Sequence, residues 1–179
     1  MNRKKNIVIV GLGNIGSYFY KYVNSNKKIL FNKTNSIPNI LYVSAKSKNK
    51  KRSFKIPKKK WLKNYLDAAK IKDVDIVIEL IGGSDGPAKK LVFLALKNKK
   101  HVITANKALV AKYGNQLAKI AEKNKVNFEF EAAVCGGMPI IKSIKEGLIA
   151  NKISKIYGVL NGTSNFILSL MDKKKIDFN

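Results

Sequence analysis

An apolar run followed at once by three closely spaced glycines is the feature that most constrains the fold of this chain. Ile7 to Val10 are all β-branched, and the segment Gly11-Leu12-Gly13-Asn14-Ile15-Gly16 follows without a gap. Uninterrupted apolar strands of this kind are typical of parallel sheets. The glycine spacing allows a tight turn into a helix, a close approach of the backbone to a pyrophosphate and close packing of helix on strand. We predict a dinucleotide-binding strand, turn and helix; a purely structural glycine turn is the alternative.

Strand and helix patterns alternate through the first 130 residues. Further strands are predicted at residues 40–45, 74–80, 101–104 and 126–130. Helices are predicted at residues 17–23, at 61–69, after Pro87, and from Asn106, where Leu109, Tyr113, Leu117 and Ile120 form one apolar stripe. This alternation predicts an α/β fold of Rossmann type, with a doubly wound, largely parallel sheet.

The composition changes at the glycine-rich segment from Ala132 to Pro139. A helix at residues 140–148, a strand at 153–160 and an apolar segment at 166–171 are predicted beyond it. These elements are too few for a domain with its own core. We therefore expect them either to pack on the first domain or to be the start of a second domain that is cut short.

The chain is strongly basic, with 36 Lys and Arg against 11 Asp and Glu and a formal charge of +25. An excess of this size suggests an anionic partner such as nucleic acid. Only Arg3 and Arg52 are arginines, however, whereas base readout and bidentate phosphate binding favour arginine. The lysines are spread from Lys4 to Lys175 and are interpreted as a solvated coat. We expect no nucleic-acid partner, and a lysine-rich nucleic-acid-binding module stays open as an alternative.

Cysteine content and hydropathy indicate a cytoplasmic protein. Cys135 is the single cysteine, so no internal disulfide can form. The apolar run after the basic start is too short for a signal peptide, and no stretch approaches the roughly 18 apolar residues of a membrane span. We therefore predict a reducing compartment and no membrane contact.

The end of the second strand bears on which dinucleotide is bound. A site selective for NAD usually places an acid there to bind the ribose 2′-hydroxyl. The segment from Ser44 to Arg52 contains no carboxylate but has several cations, including Lys46. Because cations suit a 2′-phosphate, we predict NADP(H) in preference to NAD(H). The alternative is that these lysines belong to the general coat.

Two further residues are candidates for chemistry. Lys107 follows the fourth strand, where the ligand crevice of a parallel sheet lies, although by itself it fits a surface lysine better. His101 begins that strand at the opposite end. It is the only histidine, and we expect it to be structural.

Four sequence blocks resemble the homoserine dehydrogenase family and occur in the family's order. They are ELIGG at 79–83, HVITANKAL at 101–109, FEAAVCGGMPI at 130–140 and GVLNGTSN at 158–165. Together with the glycine motif they cover nearly the whole chain. The resemblance implies NAD(P)-dependent interconversion of L-homoserine and L-aspartate 4-semialdehyde, on the route to threonine, methionine and isoleucine.

The resemblance also implies roles for individual residues. Cofactor contacts would come from the glycine turn at Gly11, Leu12, Gly13, Asn14, Ile15 and Gly16, and from Lys46, Gly82, Thr104 and Lys107. Lys107 would lie near the nicotinamide and the reacting oxygen, in a supporting catalytic role. Gly162 and Thr163 would contact the substrate. Glu131, Val134, Gly136 and Met138 match a sodium-binding turn. From the residues alone, a capping or paired role suits Glu131 better.

The chain departs from the family in one respect. The substrate-binding acids and the main catalytic lysine usually lie some tens of residues beyond the Asn-Gly-Thr block, so the resemblance implies that the main catalytic lysine lies beyond Asn179, the last residue of this sequence. We expect residues 1–137 to form an NAD(P)-binding domain and residues 138–179 to be the first elements of an incomplete α+β catalytic and dimerisation domain of a homodimeric enzyme. Such a chain would bind nucleotide but have little or no activity. A different Rossmann oxidoreductase acting on small semialdehydes is the alternative.

Overall fold

A five-stranded, all-parallel sheet is the centre of the molecule. The computed structural model describes residues 3–134, 136–158 and 161–177. The strands are β1 (Arg3–Val10), β2 (Ser36–Ser44), β3 (Ile76–Glu79), β4 (His101–Thr104) and β5 (Phe128–Glu129). Their order in the sheet is β2-β1-β3-β4-β5, and each neighbouring pair is parallel. The predicted α/β fold of Rossmann type is confirmed.

Helices cover both faces of this sheet. They are α1 (Asn14–Ser25), α2 (Lys27–Thr34), α3 (Pro87–Lys97) and α4 (Lys107–Lys123), with 3₁₀ turns at Lys58–Lys60 and Tyr65–Ala69. Alternate residues of β1 point to opposite faces: Val8 belongs to the core under α3 and α4, whereas Ile9 belongs to the core under α1. Full burial of one such side chain stabilises the fold by about 1.5–3 kcal/mol.

The strand order places a crevice at the carboxyl edge of the sheet. β1 lies between β2 and β3, and Val10 is in register with Ser44 on one side and Glu79 on the other. The connection from β1 runs to α1 on one face of the sheet, and the connection from β3 runs to α3 on the other face. A gap therefore opens between the two connections above the carboxyl end of β1. In open parallel sheets, ligands bind at such a switch point.

Several predicted elements differ from the observed ones. Strand β5 is shorter than the predicted 126–130, and α2 was not predicted, because none of its side chains is buried and its sequence has no apolar stripe. The strand predicted at 153–160 is wrong over 153–158, where the chain is exposed and irregular; residues 159–160 lie outside the described residues. β-branched residues form a strand only where a neighbour pairs with the backbone.

The last described part of the chain consists of short elements with little burial. It comprises α5 (Glu131–Val134), α6 (Ile140–Lys142), a π-helical turn (Ser143–Gly147) and α7 (Gly162–Lys174). No residue of α7 is buried, and its apolar side chains Phe166 and Leu168 are both more than 60% exposed. Within the described ranges, every helix is too short or too polar to cross a membrane.

Candidate functional site

The glycine turn lies at the switch point, between β1 and α1. Gly11 has a φ of +107°, and a Cβ on it would collide with the carbonyl of Leu80. A Cβ on Gly16 would collide with the carbonyl of Gly11, so α1 can pack this closely only without one. A Cβ on Gly13, in contrast, would meet nothing within 4 Å. The first and last of these glycines are required by the fold, and Gly13 leaves open space in front of the backbone, as a pyrophosphate needs.

The helix that follows the turn presents its first residues to the same space. Gly13, Asn14 and Ile15 are exposed at the amino end of α1, whereas Leu12 is buried beneath them. The amino end of a helix carries positive dipole and unpaired N–H groups, and it attracts phosphate.

A cavity of about 720 Å³ opens beside the glycine turn. It lies between the turn, the segment after β2 and the segment before the second 3₁₀ turn. Its lining residues are Val10, Gly11, Leu12, Gly13, Ser44, Ala45, Lys46, Ser47, Lys50, Arg52, Lys63, Asn64, Tyr65, Leu80, Ile81 and Pro87. Four of these are cations and none is a carboxylate, so this described wall is suited to an anion. A volume of this size holds a ligand of nucleotide dimensions.

The cations of this wall play different parts. Lys46 and Lys50 are exposed at the cavity. Arg52 donates three hydrogen bonds, at 2.9–3.1 Å, to the carbonyls of Ser47, Lys48 and Lys50. Its guanidinium also lies 5.3 Å from the ring centroid of Trp61. Arg52 therefore fixes the shape of the loop and leaves the lysines to meet a ligand.

Glu79 is a fully buried acid at the end of β3, beside the glycine turn. Its Oε1 accepts from the backbone N–H of Ile81 at 2.7 Å and of Gly82 at 3.2 Å. Its Oε2 accepts from the hydroxyl of Thr104, at the end of β4, at 2.5 Å. One carboxylate thus links the loop that follows β3 to the end of β4.

The predicted cofactor contact Thr104 is buried within this arrangement. Besides donating to Glu79, its hydroxyl accepts from the N–H of Asn106 at 3.0 Å. Asn106 in turn donates to the carbonyl of Gly83 at 2.7 Å and caps α4 by accepting from Leu109 at 3.1 Å. The structure gives Thr104 an indirect role, and its direct contact with a cofactor stays a prediction.

Lys107 and Gly82 lie at the same edge of the sheet. Lys107 is the first residue of α4 and is exposed, and its side chain has no hydrogen-bonding or ionic partner within the described part of the chain. Gly82 is also exposed and has a φ of +86°, which favours glycine. The architecture therefore brings both predicted residues to the crevice edge, and neither lines the cavity.

Asp85 is exposed and connects the loop after β3 to α4 by hydrogen bonds. Its carboxylate accepts from Lys112 Nζ at 2.8 Å, from the hydroxyl of Tyr113 at 2.6 Å and from the hydroxyl of Ser84 at 2.9 Å. The hydrogen bond from Lys112 is the main reason that the pKa of Asp85 lies well below its usual range. The same bond raises the pKa of Lys112.

Glu131, the predicted sodium ligand, has a structural role. Its two carboxylate oxygens accept from the N–H groups of Ile141 and Lys142, each at 2.9 Å. The carboxylate thereby caps α6 and ties the last part of the chain to the sheet region. Within the described residues there is no group of three or more His, Cys, Asp or Glu side chains that could hold a metal.

The other members of the predicted sodium turn frame a residue that is not described. Val134 ends α5, Gly136 and Met138 are exposed, and Cys135 lies outside the described residues. Because the side chain of Glu131 is engaged as a cap, the sodium site stays a prediction.

The predicted substrate residues do not line the cavity. Gly162 and Thr163 are exposed at the start of α7, which Asn161 caps by accepting from the N–H of Ser164 at 3.2 Å. The substrate role of Gly162 and Thr163 stays a prediction. The main catalytic lysine, which the family resemblance implies beyond Asn179, also stays a prediction.

The histidine lies at the other end of β4, away from the crevice. His101 accepts from the backbone N–H of Asn127 through Nδ1 at 3.0 Å. This contact ties the start of β4 to the residue that precedes β5. The role that the structure gives His101 is therefore to hold neighbouring strands together.

Sequence reasoning did not single out Glu79, Asn106 or Asp85 as functional. A signal for Glu79 was present, since an acid at the end of an otherwise apolar strand must be satisfied by partners if it is buried. Nothing in the sequence identified those partners, because Thr104 is 25 positions away along the chain.

Comparison with known proteins gives a consistent result over nearly the whole chain. The sequence profile of the family described as "Homoserine dehydrogenase, NAD binding domain" matches residues 11–131. The profile described as "Homoserine dehydrogenase" matches residues 139–179.

Individual proteins similar to this chain are homoserine dehydrogenases as well. The homoserine dehydrogenase of Neisseria gonorrhoeae is 43% identical over 169 residues, which are 94% of this chain and 38% of that protein. The Bacillus subtilis enzyme is 41% identical over 93% of this chain and 38% of its own length. The crystal structure of a homoserine dehydrogenase from Thiobacillus denitrificans superimposes with a TM-score of 0.85 and 38% identity, covering 97% of this chain and 40% of that one. The chain therefore spans about two fifths of the length of these relatives.

Proposed function

The chain belongs to the homoserine dehydrogenase family, and on that premise we propose that its protein interconverts L-homoserine and L-aspartate 4-semialdehyde with NADP(H). One observation carries the nucleotide part of the proposal. The cavity at the switch point joins a glycine turn, which leaves room for a pyrophosphate, to a wall of lysines without a carboxylate. Neither a different Rossmann oxidoreductase nor a nucleic-acid-binding module is favoured by the family matches.

The residues at this edge of the sheet fit a dinucleotide. Gly13, Asn14 and Ile15 would hold the pyrophosphate with the N–H groups of α1, where no Cβ of residue 13 intervenes. When bound, the nicotinamide supplies hydride transfer, while the protein binds and orients the reactants and manages protons. Lys107, exposed at the start of α4, would donate to an oxygen of the substrate or cofactor from the carboxyl edge of the sheet.

The preference for NADP(H) over NAD(H) rests on the wall after β2. An acid there would accept from the ribose 2′-hydroxyl and repel a 2′-phosphate. Lys46 and Lys50 line the cavity instead, and Arg52 holds their loop in place by binding its carbonyls. At close range each cation contributes favourable Coulomb energy toward a dianionic phosphate.

Nucleotide binding to the chain tests this part of the proposal. We expect NADPH to bind more tightly than NADH, and Lys46→Glu to weaken NADPH binding at least tenfold while leaving NADH binding within about threefold. Fluorescence titration of the reduced nicotinamide measures both. An unchanged ratio of the two affinities after Lys46→Glu would sink the proposed preference.

A second variant tests the glycine turn without disturbing the fold. A Cβ at residue 13 meets no protein atom within 4 Å, so Gly13→Val should keep the melting temperature within a few degrees and abolish binding of both nucleotides. Lys119→Glu, an exposed charge reversal on α4, is the matched control for Lys46→Glu and should bind as the unaltered chain does. Normal binding by Gly13→Val would place the nucleotide elsewhere.

The remaining parts of the proposal come from the family and concern the whole enzyme. They are a homodimer, substrate contacts at Gly162 and Thr163, a main catalytic lysine beyond Asn179, a place in threonine, methionine and isoleucine synthesis, and a cytoplasmic location. A sodium site at Glu131, Val134, Gly136 and Met138 is likewise part of the proposal; it would use one carboxylate and backbone carbonyls, and Glu131 also caps α6.

A further inference from the structure

We propose that the buried bond between Glu79 and Thr104 positions the nicotinamide half of the dinucleotide. This inference rests on the proposed function, since it requires a dinucleotide at the switch point. Positioning here means that the two side chains fix the shape of the two loops on which one half of the ligand would lie.

The first support is the completeness of the hydrogen bonding. Glu79 and Thr104 are both fully buried, and their side chains face each other across neighbouring strands in register. Glu79 accepts from two backbone N–H groups and from the hydroxyl of Thr104, while that hydroxyl accepts from Asn106. Burying a polar group is costly unless it is satisfied, so this arrangement favours a single geometry.

The second support is that these hydrogen bonds restrain the glycine-containing loop after β3. The loop after β3 contains Gly82 and Gly83, both with positive φ, and glycine loops have many alternative conformations. Glu79 binds the N–H of Gly82, and Asn106 binds the carbonyl of Gly83. The glycine loop and the start of α4 are therefore held together through one side-chain network.

The third support is the side of the glycine turn on which the network lies. In a dinucleotide site the adenosine ribose lies at the end of the second strand and the pyrophosphate at the turn after the first. Strand order places β2 on one side of β1 and places β3 and β4 on the other. The end of β4, with Thr104, Asn106 and the exposed Lys107, is therefore left for the nicotinamide half.

The test compares two ligands on the full chain. The affinity for NADPH depends on both halves of the proposed dinucleotide site. Adenosine 2′,5′-bisphosphate lacks the nicotinamide, so its affinity depends on the adenosine half alone. Thr104→Val keeps the shape of the side chain and removes the hydroxyl, and we expect it to weaken NADPH binding about tenfold. Binding of the bisphosphate should stay within twofold, and Thr104→Ser, which restores the hydroxyl, should recover most of the NADPH affinity.

Glu79→Gln distinguishes positioning from direct contact. The amide can still accept from the loop N–H groups but offers a donor where Thr104 needs an acceptor, so NADPH binding should again fall about tenfold. Because both variants break the same bond, Glu79→Gln with Thr104→Val should bind no worse than either alone. Glu122→Gln, an exposed acid on α4, is the matched control. All titrations are made well below each variant's measured melting temperature.

The outcomes separate the claims. If the unaltered chain binds neither ligand, the proposed function fails. If the unaltered chain binds both, three results would overturn the positioning role. The first is a loss of NADPH affinity in the double variant equal to the sum of the two single losses, and the second is a loss of bisphosphate affinity as large as the loss of NADPH affinity. The third is an NADPH affinity within twofold of the unaltered chain in both single variants. Should Thr104→Val fail to fold, Glu79→Gln with its control decides through the ratio of the two ligand affinities.

Discussion

Helices differ in how much of their surface is buried between two regions of this chain, residues 3–131 and residues 136–177. In the first region, α3 and α4 are amphipathic and bury Leu91 and Leu109 completely against the sheet. In the second, α7 is capped by Asn161 and contains an apolar segment, yet none of its residues is fully buried. Capping and propensity decide where a helix begins, whereas burial supplies most of its stability.

Polar side chains also differ between the two regions, in how far apart along the chain their partners lie. In the first region, Glu79 and Asp85 connect elements that are distant in sequence. In the second, the pairs Lys142–Glu146 and Asp172–Lys175 lie within single turns and are exposed. Exposed pairs of this kind contribute little to stability. The contacts of Glu79 and Asp85 therefore hold together elements of the first region that are distant in sequence, whereas those of the second region do not.

A matched pair of leucine substitutions should show the largest difference between the regions. Leu91→Ala removes a fully buried side chain from α3 and should lower the free energy of unfolding by about 2–5 kcal/mol. Leu168→Ala, on the exposed face of α7, should change it by less than about 0.5 kcal/mol. Urea denaturation followed by circular dichroism measures both. Equal losses would mean that α7 is packed in solution.

Removal of the cap that joins the regions should have a smaller, local effect. Glu131→Ala leaves the N–H groups of Ile141 and Lys142 without their carboxylate, which should weaken α6 by about 1 kcal/mol. Hydrogen exchange at these two amides should quicken severalfold, while amides of β1 keep their rates. Glu146→Ala, which removes only an exposed ion pair, is the control. Faster exchange throughout the sheet would show that the two regions unfold together.

The smallest effect is expected at Asp85, and it should depend on pH. The pKa of Asp85 lies below its usual range, so its contribution is fully present above the unfolded value of about 3.9 and is lost as pH falls through the lower folded value. The stability difference between Asp85→Asn and the unaltered chain should therefore be constant from pH 7 to 5 and shrink below about pH 4. Denaturation at pH 7, 5 and 3 measures it.

Asp172→Asn is the control for Asp85 in the second region. It removes an exposed pair at the carboxyl end of α7 and should leave global stability unchanged at each pH. A difference for Asp85→Asn that grew toward pH 3 would contradict the sign of the shift.

The strands and the glycine turn could be predicted from the sequence, because their signals are local. A β-branched run before Gly11 predicts a buried parallel strand, and the stripe on α4 predicts which of its faces is buried. The β-branched residues at 153–158 misled for the same reason. Their composition suits a strand, but pairing depends on a neighbour that local sequence does not reveal.

The candidate site was predictable only in part. The position of Gly13 and Lys46 at one crevice followed from the rule that the carboxyl ends of parallel strands meet at one edge. The role of Arg52 did not follow. Its charge belongs to the cations that suit a phosphate, yet its guanidinium is engaged by backbone carbonyls that the fold brings to it. The carboxylate of Glu131, in contrast, makes the capping contacts that suit it from the residues alone.

By itself, the sequence determined the class of fold, the place of the glycine turn and, through its motif blocks, the family. These depend on patterns within about ten residues or on motifs that can be read directly. The tertiary structure alone decided which charged side chains are free to meet a ligand and which hold the scaffold. That division depends on partners such as Glu79 and Thr104, which folding brings into contact because a buried polar group must find a hydrogen bond.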